Sequence, residues 1–77
     1  MIIGFVLIKA APTYEYDVFT ELSNISEIVE LHSLFGEYDL IAKIEANDYE
    51  KLGEIVINKI RAVEGVLITK TLTGTKF

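Results

Sequence analysis

Apolar positions along the chain fall into six blocks whose spacing alternates between a period of two and a period of three to four. Residues Ile2 to Lys9 are dense in β-branched and aromatic side chains, the composition of a strand. Ala10-Ala11-Pro12-Thr13 ends it. Tyr14, Val18, Leu22 and Ile25 then recur at helical spacing and predict a helix over residues 14 to 24, with Thr13 as N-cap and Glu15 and Asp17 at the positive helix start. Residues 27 to 35 return to alternation, with Val29, Leu31, Ser33 and Phe35 on one face. Gly36-Glu37 interrupts the pattern before the next strand, 38 to 45, which puts Leu40, Ala42 and Ile44 on one face and Asp39, Ile41 and Lys43 on the other. A Gly-X pair between two strands predicts a two-residue hairpin turn, with Gly36 at the position of positive φ. Asn47 followed three residues later by Glu50 reads as a capping box opening a second helix, whose apolar stripe is Leu52, Ile55, Val56, Ile60 and Val63. Gly65 marks the turn after it, residues 66 to 73 form the last strand, and residues 74 to 77 make a loose tail.

The order β-α-β-β-α-β, joined by right-handed crossovers, predicts an α+β ferredoxin-like fold: a four-stranded antiparallel sheet with both helices on one face. The first strand is apolar on both sides, with Ile3, Phe5 and Leu7 pointing one way and Ile2, Val6 and Ile8 the other. A strand buried on one face alternates apolar with polar residues. This one does not, so its second face needs a cover, and a second copy in a sheet-to-sheet dimer of the dimeric α+β barrel type supplies one. Glu30, His32, Lys43, Thr69 and Thr71 lie among apolar neighbours on the other strands, and Leu67, Thr69, Thr71 and Thr73 share a face. The pattern alone leaves open which face that is.

Composition strengthens the expectation of assembly. At 77 residues the chain is one domain. A domain of this size buries only about 60% of the surface of its unfolded chain. Disulfides, metals or association usually make up the deficit. There is no cysteine and a single histidine, which removes disulfides, thiolate metal sites and a multi-histidine metal site within one chain, while 51% of the residues are hydrophobic. The net charge is −5 and Arg61 is the one arginine, so direct DNA binding is not expected. No apolar run approaches the roughly 20 residues of a membrane span, and the start shows no signal-peptide pattern. A cytoplasmic protein without cofactor or metal is the expectation.

Three motifs then align with a known family. Gly36-Glu37-Tyr38-Asp39-Leu40 stands between two strands, a helix begins at Asp48, and Gly65-Val66-Leu67-Ile68-Thr69-Lys70-Thr71 forms the last strand. Together with Phe5-Val6-Leu7-Ile8 before a proline-containing loop, this resembles the RAM domain (regulation of amino acid metabolism) of Lrp/AsnC-type transcription regulators, from about Ile3 to Leu72. The resemblance implies a homo-oligomer: dimers through the sheets, assembled further, often into an octameric ring. It implies an amino acid effector held between dimers near the β2–β3 hairpin, and transcription regulation of amino acid metabolism through assembly. The chain opens directly on strand 1, so the expected organisation is one stand-alone domain, 1–77, without the family's helix-turn-helix. Such a module acts as an amino-acid sensor or by joining full-length Lrp/AsnC regulators. Two positions depart from the family pattern: Pro12-Thr13 stands where many members have Pro-Gly, and Phe35 where many have a small residue before the hairpin glycine.

The candidate ligand-binding residues are Gly36, Glu37, Tyr38, Asp39, Thr69 and Thr71. An amino acid is a zwitterion, so its site needs an acceptor for the ammonium and donors for the carboxylate. A hairpin with bare amides and one carboxylate offers both. Each residue also has a plainer role: Gly36 as a turn glycine, Asp39 as a strand carboxylate or hairpin cap, Tyr38 as packing, the threonines as β-branched strand formers. No catalytic residue is expected, because His32 has no nucleophile or paired carboxylate at a recognisable spacing. An ACT-type amino-acid-binding domain and a dimeric α+β barrel enzyme are the alternatives on the same element order.

Overall fold

A computed structural model describes residues 1–74; residues 75–77 of the expected loose tail lie outside the described residues. The elements follow the expected order: β1 (Ile2–Ala10), α1 (Glu15–Ser23), β2 (Ile28–Ser33), β3 (Leu40–Ala46), α2 (Tyr49–Ile55) running on into a π-helical turn (Val56–Ile60), and β4 (Val66–Thr73). The four strands form one antiparallel sheet in the order β2-β3-β1-β4. This is the ferredoxin-like arrangement.

Register now assigns the faces. Val6 stands between Ala42 and Thr71, and Ile8 between Leu40 and Thr69. Val6, Ile8, Leu40 and Ile44 are buried against Val18 and Leu22 of α1 and Leu52, Ile55 and Ile60 of the second helix. On the opposite face Phe5 stands between Lys43 and Leu72, and Leu7 between Ile41 and Lys70. No element among the described residues covers that face. Ile3, Phe5, Ile68 and Leu72 are 38–52% exposed there, in a sheet whose other side is almost dry.

Several local expectations are corrected. Thr13 is not the helix cap. It has φ 72° in a turn closed by the Tyr14 N–H donating to the Ala11 carbonyl at 2.9 Å, and Tyr14 takes the N-cap position. The second helix is capped by Asp48, whose Oδ1 accepts from the Lys51 N–H at 2.7 Å. Asn47 and Glu50 form no box, because the frame is shifted by one residue and the third helical position holds a lysine. The β2–β3 connection is a six-residue loop, Leu34–Asp39, rather than a two-residue turn. Two bulges take residues out of their expected rows. Val29 is skipped between the Ile28 and Glu30 pairings, and Val66 rather than Leu67 stands opposite Ala10.

Candidate functional site: two grooves flanking the helix layer

The β2–β3 loop is held by its own ends and by β1. The Leu34 N–H donates to the Asp39 carbonyl at 2.8 Å, closing the loop. Asp39 then leaves the β2 pairing: its N–H donates to the Ile8 carbonyl at 2.9 Å, and its Oδ2 accepts from the Ala10 N–H at 2.8 Å. Lys9 adds a bond from its Nζ to the Glu37 carbonyl at 3.3 Å. The Asp39 carboxylate thus caps the end of β1, the plainer of its two expected roles, while Oδ1 has no hydrogen-bond partner among the described residues. Gly36 has φ 152° with open space on the side where a Cβ would stand, and Phe35 beside it is fully exposed.

Between this loop and α1 lies an open groove of about 720 Å³, walled by Tyr16, Phe19, Leu34 and Phe35 and edged by Glu15 and Asp39. Its two charged side chains are both acidic. Of the predicted loop residues it takes in Gly36 and Asp39; Glu37 and Tyr38 do not line it.

Thr69 and Thr71 belong to a second groove of about 410 Å³ between α2 and β4. Both threonines and Thr73 point to the helix side of the sheet, but β4 is an edge strand that the helices do not fully cover. Tyr49, Leu52, Val56 and Ile57 form the facing wall, and Arg61 stands at the end of the π-helical turn. Arg61 makes no ion pair among the described residues. The two grooves share no residue and lie along opposite edges of the sheet.

Arg61, Tyr49 and Ile57 were not among the residues expected at a site. A signal for Ile57 was available: Ile55-Val56-Ile57 is a run of three apolar residues in a helix, and one helical stripe cannot bury all three. Ile57 is 59% exposed. His32 lines neither groove. It lies on the uncovered sheet face, with Nε2 3.3 Å from Glu30 Oε1, while Lys43 Nζ donates to Glu30 Oε2 at 3.3 Å. The bond from His32, and then Lys43, hold the Glu30 carboxyl below its ordinary range. No cluster of three or more potential metal ligands occurs among the described residues, and no helix of the described residues is long and apolar enough to cross a membrane.

The sequence model of the Lrp/AsnC ligand binding domain matches residues 3–75. An uncharacterized HTH-type transcriptional regulator of Pyrococcus horikoshii is 35% identical over 74 residues, which cover 92% of this chain and 49% of the regulator. The chain therefore spans about half the length of the curated regulators it matches. A crystal structure of a Thermus thermophilus protein superposes with a TM-score of 0.93 at 31% identity, covering 100% of this chain and 96% of that one. A homocitrate synthase of Sulfurisphaera tokodaii is 41% identical over 58 residues, 75% of this chain but 12% of the enzyme. With the family model spanning nearly the whole sequence and full-length structural agreement at 31% identity, this chain belongs to the Lrp/AsnC ligand-binding domain family.

Proposed function

We propose that this chain is an amino-acid-responsive assembly module, which binds its effector between copies and passes the state of assembly to transcription regulation of amino acid metabolism. The observation that carries the reading is the division of the ligand chemistry. The carboxylates Glu15 and Asp39 edge one groove; Arg61 and the hydroxyls of Thr69 and Thr71 line another, against the opposite edge strand. A zwitterion needs both sets. One chain cannot close both over one ligand, whereas the β2–β3 loop of one copy set against the β4 groove of another joins them. In that arrangement Gly36 lets the loop backbone approach closely, and the amides of Phe35 to Tyr38, which pair with no backbone carbonyl among the described residues, add donors for the carboxylate.

The uncovered sheet face supports the other half of the reading. Ile3, Phe5, Leu7, Ile41 and Leu72 form an apolar patch across it, with Lys43 inside the patch beside Phe5 and Lys9, Glu30, Glu45 and Lys70 around it, a mixed composition found at protein interfaces. A dimer through these faces leaves both grooves open for contacts between dimers, up to a closed ring such as an octamer. Relatives that join related sequence to an HTH-type regulator or to a homocitrate synthase support a module that reports to different hosts.

Thermal unfolding with a panel of amino acids tests ligand binding. A ligand at 100 times its Kd stabilises the folded state by about 2.7 kcal/mol, so the effector raises Tm by several degrees, and Arg61→Ala removes the rise without lowering the ligand-free Tm. An unchanged Tm with every amino acid at millimolar concentration contradicts the reading.

A further inference from the structure

Phe35 is the most exposed large hydrophobic side chain among the described residues. Its ring buries almost nothing against its own chain, yet the loop that carries it is fixed. The Leu34 N–H donates to the Asp39 carbonyl, Asp39 is bonded to β1 through both its N–H and its carboxylate, and Lys9 Nζ donates to the Glu37 carbonyl. An aromatic ring held out on an ordered backbone loses little freedom on docking, which is the property of an interface anchor. At the opposite edge of the sheet the β4 groove has an apolar wall with no ring to cover it: Leu52 and Val56 are buried at its floor, and Ile57 and Tyr49 stand 59% and 60% exposed. Charge separates the two features in a complementary way. Glu15 and Asp39 line the same groove as Phe35, and Glu37 follows two residues on in the loop. In the β4 groove Arg61 is the one charged side chain, and it makes no ion pair among the described residues.

We infer that Phe35 is the anchor by which one copy of this chain docks on another: its ring enters the β4 groove of a second copy and packs on Val56 and Ile57, with the acidic loop facing Arg61. This rests on the arrangement between copies proposed above and adds the residue that holds it. The net charge of −5 makes two copies repel in most orientations. Docking the loop in the β4 groove is the orientation that turns carboxylates toward an unpaired cation, so the chain itself is the complementary partner. Because the loop and the groove lie at opposite edges of the sheet, the contact is heterologous: each copy offers a loop on one side and a groove on the other, and the contact repeats until a ring closes. It uses neither Phe5 nor Leu72 and is separate from the contact through the uncovered sheet face. A groove of about 410 Å³ holds the ring against its hydrocarbon wall and leaves the hydroxyls of Thr69 and Thr71 to the effector.

The test is sedimentation equilibrium on the full chain, on Phe35→Ala, on Ile57→Asp and on an equal mixture of the two variants. Both substitutions fall at exposed positions, so each variant folds and keeps the sheet-face dimer. Phe35→Ala removes the anchor; Ile57→Asp puts a carboxylate in the apolar wall and toward the acidic loop. The native chain forms a species larger than the dimer, and each variant alone weakens association beyond the dimer on the order of tenfold or more. Mixed, the two variants regain a larger species, because the intact groove of one accepts the intact loop of the other. A contact of loop on loop or groove on groove gives no such recovery. A native chain no larger than a dimer, native-like assembly of either variant, or a mixture that stays at the dimer overturns the inference. The thermal response to amino acids, recorded on the same native sample, judges the ligand reading separately. A raised Tm beside any of those failures leaves ligand binding standing without this anchor. An unchanged Tm beside the expected assembly and recovery leaves the anchor standing and overturns ligand binding.

Discussion

Thr13 occupies a place in the turn that suits glycine. Pro12 and Thr13 are the central residues of the Ala11–Tyr14 turn, and φ 72° at Thr13 gives it the form that normally takes glycine at its third position. A β-branched residue there is strained, at a cost of about 1–3 kcal/mol. Thr13→Gly relieves the strain at some expense in unfolded-chain entropy, so a net gain of about 1 kcal/mol is expected, read as a higher urea midpoint. Gly65 presents the opposite case: φ is 99° and an added Cβ would stand 2.8 Å from Tyr14 Cδ2. Gly65→Ala therefore destabilises by about 2 kcal/mol. Its carbonyl also accepts the Ala11 N–H at 2.7 Å, so the strain reaches the β1–α1 connection. Asp39 has two roles that substitution separates. Asp39→Ala removes the acceptor of the Ala10 N–H and costs about 1–2 kcal/mol. Asp39→Asn keeps an oxygen for that N–H, retains most of the stability, and weakens ligand binding by removing the charge. Equal loss of stability in both variants contradicts the capping role.

Among the elements, strand faces were legible because a period of two leaves few choices once β1 is apolar on both sides. Leu40, Ala42 and Ile44 share a face as expected, and the register shows it to be the buried one, together with Val6 and Ile8 of β1. The β2–β3 connection was not legible, because its length is set by contacts distant in sequence: Asp39 bonds to β1 at both its N–H and its carboxylate, which delays the start of β3. The face of the threonines required the β1–β4 register, and a bulge at Leu67 breaks the count that sequence alternation assumes. The π-helical turn leaves no pattern in the sequence, and it is the element that presents Ile57 to the β4 groove. Lys59 of this turn donates to Glu27 Oε2 at 2.7 Å, tying the helix to the entry of β2. That bond, with a backbone hydrogen bond at Glu27 next, lowers the Glu27 pKa from the ordinary 4.5. A depressed carboxylate pKa contributes stability that is complete above the unfolded value and is lost as pH falls through the folded one. The native chain is therefore more stable than Glu27→Gln above pH 4.5, and the difference closes in urea titrations taken to about pH 3. A difference that persists or widens in acid contradicts the assigned bond.

At the scale of the whole molecule the central feature is one sheet with unequal faces. The helix side holds a buried core and stays open along β4, where Thr71 and Thr73 are exposed. The other side holds Phe5 and Leu72 side by side, with Leu7 and Ile41 paired next to them, on a chain of 77 residues with no disulfide. Small domains without cross-links gain their remaining stability by association. Phe5→Lys sets a second cation opposite Lys43 in the middle of that face. It should weaken association on the order of tenfold or more, because it replaces an apolar ring at the centre of the face with a charge that must be desolvated beside Lys43. The most direct measurement is the mass of the native chain in solution by light scattering or sedimentation equilibrium at micromolar concentration, beside the Phe5→Lys variant. The expected result is a native species of at least twice the 8.7 kDa chain mass, with mass lost in the variant. A native chain sedimenting as an 8.7 kDa monomer would contradict the claim that this module works between copies.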